Sequence, residues 1–343
     1  MVAVQKRARP LLAGGAAAAL VLGLTACAGS DAGGESTAAA SDCGGFPDGD
    51  IEFVVPYSAG GGFDTWARLI APELQERLGV SVPVVNREGA GGITGVTEVY
   101  GSKPDGQRIV ITEPGILATT LLSGEVSTDF TSMVTLGRAT VGPEVIVVKG
   151  DSPWNTIEDV QAEGRELLMG TGGLAAVNII SFDALGLPFT NVVHEGSSEA
   201  LLSVIRGDTE IAIFPLGSVA EGVRGGDLKP LVVVGSEPGA DNPDADVIEG
   251  VPTLDEVTGE DGLGAALEQH RMIVAPPGLS DCVVDTLADA ITDTFESEEF
   301  QDLARDANLT PAHLGAAEAQ EVFDGTFVTF ERYQDLLAAQ LEG

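Results

Sequence analysis

Val54 to Asp64 read VVPYSAGGGFD: an apolar strand runs into a proline, an aromatic residue and three consecutive glycines, then meets an acid. Bare backbone at the end of a strand lets a ligand or another chain segment approach closely. The residues that follow place Trp66, Leu69, Ile70, Leu74 and Leu78 at helical spacing. A helix is therefore expected over 64–78, with Asp64 as its N-cap or first-turn acid and Gly79 as its stop. Pro72 lies inside that pattern and is a candidate kink. Strand, glycines and helix together suit an anion, because unpaired amides converge at a helix start and the dipole favours negative charge there. The spacing is not the dinucleotide G-x-G-x-x-G, and no lysine follows to complete a P-loop.

The same strand–turn–helix grammar recurs. GTGGLAAVN (170–178) follows a strand and opens a helix, and HEGSSEA (194–200) does so again with Gly196, Ser197 and Ser198. If the strands end at one cleft, these entrances supply amides and hydroxyls to one polar ligand. Alternation of strands and helices over the first hundred mature residues implies a largely parallel α/β sheet. From Phe130 to Gly150 the chain becomes β-rich, and 236–261 reads as an acidic surface excursion. The final stretch, 318–341, reads as one closing helix.

The N-terminus carries an address. Lys6, Arg7 and Arg9 precede an apolar run, Leu11 to Leu24, too short for a confident membrane span, and LTAC ends at Cys27. This order resembles a bacterial lipoprotein signal, so residues 1–26 are expected to be cleaved and Cys27 lipidated. Residues 27–47 are small and polar, a flexible tether. Cys43 and Cys282 remain as a candidate disulfide pair in an exported chain, the alternative being two separate buried thiols.

A net charge of −36 argues against nucleic acid and against an anionic membrane surface as partners, so membrane attachment falls to the lipid. It also raises a question if the ligand is itself an anion. Hydrolase chemistry is disfavoured: there is no G-x-S-x-G elbow, and His194, His270 and His313 are scattered without metal spacing. Neither a metal nor a cofactor is expected. Trp66 and Trp154 read as packing residues, and His194 as a packed or surface histidine near the third turn.

VVPYSAGGGFD, followed by NREGAGG (86–92) and PDG (104–106), resembles the solute-binding component of tripartite tricarboxylate transporters, the family that includes the Bordetella uptake gene proteins. Looser matches continue in order through HEGSSEALLSVIRGDTEIAIFPLG, LKPLVVVG, VPTLDE and IVAPPGLS. The resemblance implies a two-lobed α/β binding protein with two chain crossovers and a ligand cleft between the lobes. It divides the chain into 48–140 (lobe one), 141–271 (lobe two) and 272–343 (lobe one again). It implies no enzymatic step, and a monomer that hands a small organic carboxylate to membrane permease subunits; a ligand-sensing lipoprotein coupled to a signalling partner is the alternative. Carried over by position, the ligand-facing residues are Tyr57, Ser58, Ala59, Gly60, Gly61, Gly62 and Asp64, then Thr171, Gly172 and Gly173, then Gly196 and Ser197. Asp64 is expected to organise the loop rather than to meet the anion. His194 and Glu195 stand where the family has an aromatic–lysine pair, which removes a positive charge and puts a tricarboxylate preference in doubt.

Overall fold

Phe53, Val54 and Val55 are all buried, which sets the strand Glu52–Val55 (β1) inside a sheet covered on both faces. The computed structural model describes residues 43–122, 124, 126–171, 176–194, 197–236 and 242–341. The other strands are Val84–Asn86 (β2), Arg108–Thr112 (β3), Val134–Gly142 (β4), Glu144–Lys149 (β5), Leu167–Thr171 (β6), Phe189–Val193 (β7), Ile211–Pro215 (β8), Leu228–Val234 (β9), Gln269–Ala275 (β10) and Leu314–Gly315 (β11). They form two mixed sheets, ordered β11-β4-β10-β3-β1-β2 and β7-β6-β8-β5-β9. With helices interleaved throughout, the fold is the two-lobed α/β binding-protein architecture.

The chain passes from one sheet to the other twice. β4 ends at Gly142 and β5 begins at Glu144, so Pro143 alone makes the outward crossing. The return falls between Val234, the end of β9, and Gln269, the start of β10. The two crossings touch: a Cβ on Gly235 would lie 3.0 Å from Pro143 Cα and 2.7 Å from Glu268 Cγ. Gly235 also has φ +136°, a conformation that side chains rarely adopt.

The helix Gly62–Leu78 runs unbroken through Pro72 and ends at Gly79 in the left-handed conformation. It buries Trp66, Ile70 and Leu74 against the first sheet, in a cluster with Phe53 and Phe295. Val145, Val147, Val204 and Phe214 form a core on the second sheet. A further cluster contains Val54, Leu117 and Phe330 together with Ile179, Phe182 and Val232, so apolar packing is continuous across the two sheets. Each such side chain stabilises the fold by about 1.5–3 kcal/mol.

Cys43 and Cys282 are disulfide-bonded, with Cα atoms 5.6 Å apart, and tie the start of the described chain to the first turn of the helix Asp281–Glu296. The expected single closing helix is two, Ala316–Glu331 and Gln334–Leu341. Tyr333 N–H bonds to Phe330 O at 2.9 Å, a tightened turn that lets both Phe330 and Leu337 reach the core. Helices at Pro114–Leu122 and Leu216–Arg224 were not legible as helices in the sequence.

Candidate functional site

The glycine loop is built around a carboxylate. Asp64 is only 2 % exposed and turns back into the loop that precedes it. Its Oδ2 accepts the Gly60 N–H at 2.8 Å and Arg68 Nε at 2.8 Å. Its Oδ1 accepts Asn86 Nδ2 at 3.0 Å, and the same amide nitrogen donates to Tyr57 O at 3.0 Å. The Arg68 bond, then those from Gly60 and Asn86, outweigh burial and hold the Asp64 carboxyl at about 2. Gly60 has φ +81°, so the turn that brings its N–H to Asp64 suits glycine. With both oxygens engaged, Asp64 is a positioning residue.

That bracing leaves the helix entrance open. After the loop's own bond from Gly61 N–H to Ser58 O, the first main-chain bond of the helix is from Thr65 N–H to Gly61 O, at 2.9 Å. The amides of Gly62, Phe63 and Asp64 precede it and are the unpaired donors of the helix start. Ser58, Ala59, Gly60 and Gly62 are exposed around them. The glycines at 89–95 serve from behind: a Cβ on Gly92 would lie 2.7 Å from the Tyr57 ring, and one on Gly95 2.7 Å from Arg87 O. These glycines permit close packing against the strand end.

On the other sheet, β6 and β7 are parallel neighbours with Thr171 in register with Val193. The second and third turns therefore leave the same end of adjacent strands. Thr171 is buried; its Oγ1 donates to Asn191 Oδ1 at 2.7 Å, and its carbonyl accepts the His194 N–H at 2.8 Å. Ser197 opens the helix Ser197–Arg206. Gly172, Gly173 and Gly196, like the lipidation candidate Cys27, lie outside the described residues.

Two adjoining cavities lie along the crossings. One, of about 270 Å³, is lined by Glu113 and Thr119 from the first sheet's side, Thr171 and Asn178 from the second, and Glu144 and Glu268 at the crossings. The other, of about 240 Å³, contains Gly62 and Arg271. They share Pro215 and Gln269. Thr171 and the glycine loop thus border neighbouring compartments rather than one.

Three site residues were not picked out by motif. Arg271 is largely buried, and its guanidinium lies over the Phe63 ring at 5.0 Å from the centroid. A Cβ on Gly62 would approach its Nη2 to 3.1 Å. Its Nε has no hydrogen-bond partner and it makes no ion pair among the described residues. Burial lowers its pKa, opposed by Glu113. Burial raises the Glu113 carboxyl to about 7, moderated by Arg271, and raises Glu144 to about 8 with help from the Glu113 charge. The available signal was a lone charge inside or beside an apolar strand, as in RMIVA and ITE. No group of three histidine, cysteine, aspartate or glutamate side chains that could hold a metal occurs among the described residues.

The profile described as "Tripartite tricarboxylate transporter family receptor" matches residues 66–328. A protein of Agrobacterium vitis, "UPF0065 protein in the TAR-I ttuE-ttuC' intergenic region", is 29 % identical over 223 residues, and the match spans 62 % of each chain. Among solved structures, a TctC solute-binding protein from Polaromonas superposes with a TM-score of 0.71 at 25 % identity, covering 85 % of this chain and 99 % of its own. Rpa4515 of Rhodopseudomonas palustris, solved with adipate, gives 0.67 at 22 % identity over 85 % of this chain and 98 % of its own.

Proposed function

This chain belongs to the tripartite tricarboxylate transporter receptor family, and from that premise we propose that it is an extracytoplasmic lipoprotein that captures a small organic carboxylate and presents it to membrane permease subunits. The observation that carries the reading is the open helix entrance at Gly62–Asp64, braced by Asp64 from within and faced by the unpaired Arg271. Amides and a buried guanidinium together hold a carboxylate through charge-assisted hydrogen bonds. Repulsion from distant surface carboxylates is screened over about 10 Å, whereas these contacts are local. The adipate found with Rpa4515 fits the same ligand class.

In this reading, residues 1–26 are a signal peptide, Cys27 carries the lipid, and the tether, expected over 27–47, ends at Cys43, where the disulfide to Cys282 fastens the chain to the binding domain. The expected lobe bounds, 48–140 and 272–343 for lobe one and 141–271 for lobe two, move slightly in this reading: lobe one runs to Gly142 and resumes at Gln269, because β4 and β10 both belong to the first sheet, and lobe two lies between the crossings. The ligand-facing set is Tyr57 to Gly62 with Thr171, Gly172, Gly173, Gly196 and Ser197. Ligand bridging the lobes shifts the population toward the closed shape that the permease reads, with the crossings at Pro143 and Gly235 as hinge. Native mass spectrometry of gently purified protein tests this: a small organic acid should co-purify and be lost from Gly61→Val. Recovery of the same acid on the folded variant would remove the glycine loop from the account.

A further inference from the structure

Glu144 is the first residue of β5, directly after the outward crossing. It is 9 % exposed and lines the 270 Å³ cavity, and its carboxyl group takes neither a hydrogen bond nor an ion pair among the described residues. A carboxylate in that position is costly unless something compensates it. The charge that acts on it is another carboxylate: Glu113, which lines the same cavity from the end of β3 and is likewise without a side-chain hydrogen bond. Glu113 feels Arg271, but Glu144 has no such cation. Glu268, the third acid of the lining, is engaged by Ser236 N–H at 2.6 Å. Among the described residues the cleft thus holds a guanidinium beside Gly62 that makes no ion pair, a Glu113 carboxyl that feels it only through space, and a Glu144 carboxyl with no cation acting on it.

We propose that the ligand of this cleft carries a protonated amine as well as a carboxylate, and that the amine lies between Glu113 and Glu144. This rests on the carboxylate-receptor reading above and narrows it to zwitterions such as amino acids. An ammonium group donates up to three hydrogen bonds, enough to serve both carboxylates and to cancel their repulsion. Its carboxylate end extends past Gln269, which borders both cavities, toward Gly62 and Arg271. Leu267 and Phe330 supply apolar surface for intervening methylenes. A cavity of about 270 Å³ suits a ligand of that size. The net charge of −36 favours the approach of a ligand bearing a cation over that of a diacid. Burial raises both carboxyl groups, so near neutral pH the empty site holds a proton that the amine displaces.

Calorimetry on the full chain tests this with α,ω-diacids of three to six carbons, the ω-amino acids of the same lengths, and the α-amino acids. At least one amine-bearing probe should bind about tenfold or more tighter than the diacid of its length. Its binding should release a proton, read as a dependence of the heat on buffer ionisation enthalpy. Glu144→Gln should cost about tenfold or more for that probe and leave the diacids unweakened; Glu113→Gln should act the same way if Glu144→Gln fails to fold. Binding of diacids alone, or an affinity of the amine-bearing probe in the folded variants equal to that in wild type, overturns the amine subsite while leaving the receptor function standing. Binding by neither set overturns both.

Discussion

Asp64 accepts the main-chain N–H of Gly60 at 2.8 Å, four residues back, and so folds its own approach loop into a cup around the helix entrance. The same carboxylate holds Arg68 and Asn86, and Asn86 reaches the Tyr57 carbonyl. One buried acid thereby fixes the strand end, the turn and the helix entrance. An acid at the mouth of a carboxylate site is compatible with binding because it faces inward.

Replacing Asp64 by alanine strands the Gly60 N–H and the Asn86 amide. Stability should fall by about 1–3 kcal/mol in urea denaturation at pH 7, with ligand affinity falling at least tenfold. The folded-state pKa of about 2 lies below the ordinary 3.8, so this contribution is present above about pH 4 and is lost as pH falls toward 2. The gap between wild type and variant should therefore narrow on acidification through that window. A gap constant from pH 7 to pH 2 would show that Asp64 acts otherwise.

Glu113 and Glu144 have the opposite sign. Their folded pKa values, about 7 and about 8, lie above the ordinary 4.5, so the folded state binds extra protons between those limits. The stability they confer is complete below about pH 4.5 and is lost as pH rises through 7 to 8. The groups acting on the pair are Arg271 and Tyr57 near Glu113, with Glu268 in the shared lining. Ligand-free Glu113→Gln/Glu144→Gln protein should lose less thermal stability than wild type between pH 5 and pH 9. Parallel melting curves across that range would contradict the assignment.

Cys43 and Cys282 close a loop spanning 239 positions. Cys43→Ser/Cys282→Ser should lower unfolding stability by about 2–5 kcal/mol, and dithiothreitol should do the same to the wild type. Because the bond lies on the first sheet's side, away from both cavities, ligand affinity should change less than twofold. A large affinity loss in the folded variant would mean that the bond shapes the cleft.

Gly235→Val should impair both folding and closure. The φ of +136° disfavours any side chain, and the new Cβ would press on Pro143 and Glu268, where the two crossings meet. A thermal midpoint lower by several degrees is expected. Scattering profiles of the variant should also compact less on ligand addition than those of wild type.

The entrance of the helix Gly62–Leu78 was readable because three glycines and a following acid have few other uses at a strand end. Its organiser was readable too, since an Asp at the third helical position can turn back onto the loop. The cysteine pairing followed from what remained after Cys27 was assigned to lipid. Arg271, Glu113 and Glu144 were not readable as a group. Each is a lone charge at or beside a strand, and only the sheet order and the two crossings bring them to adjoining cavities. The break at Arg332–Tyr333 was hidden because apolar spacing continues through it while the core changes direction.

The central claim is that backbone amides at the start of the helix Gly62–Leu78 hold the ligand's carboxylate. A crystal structure of the chain with its co-purified ligand tests that directly. The account predicts a carboxylate oxygen within about 3 Å of at least two of the amides of Gly62, Phe63 and Asp64, with the Arg271 guanidinium turned toward the same group. A ligand bound in the cleft with these amides facing only water would contradict it.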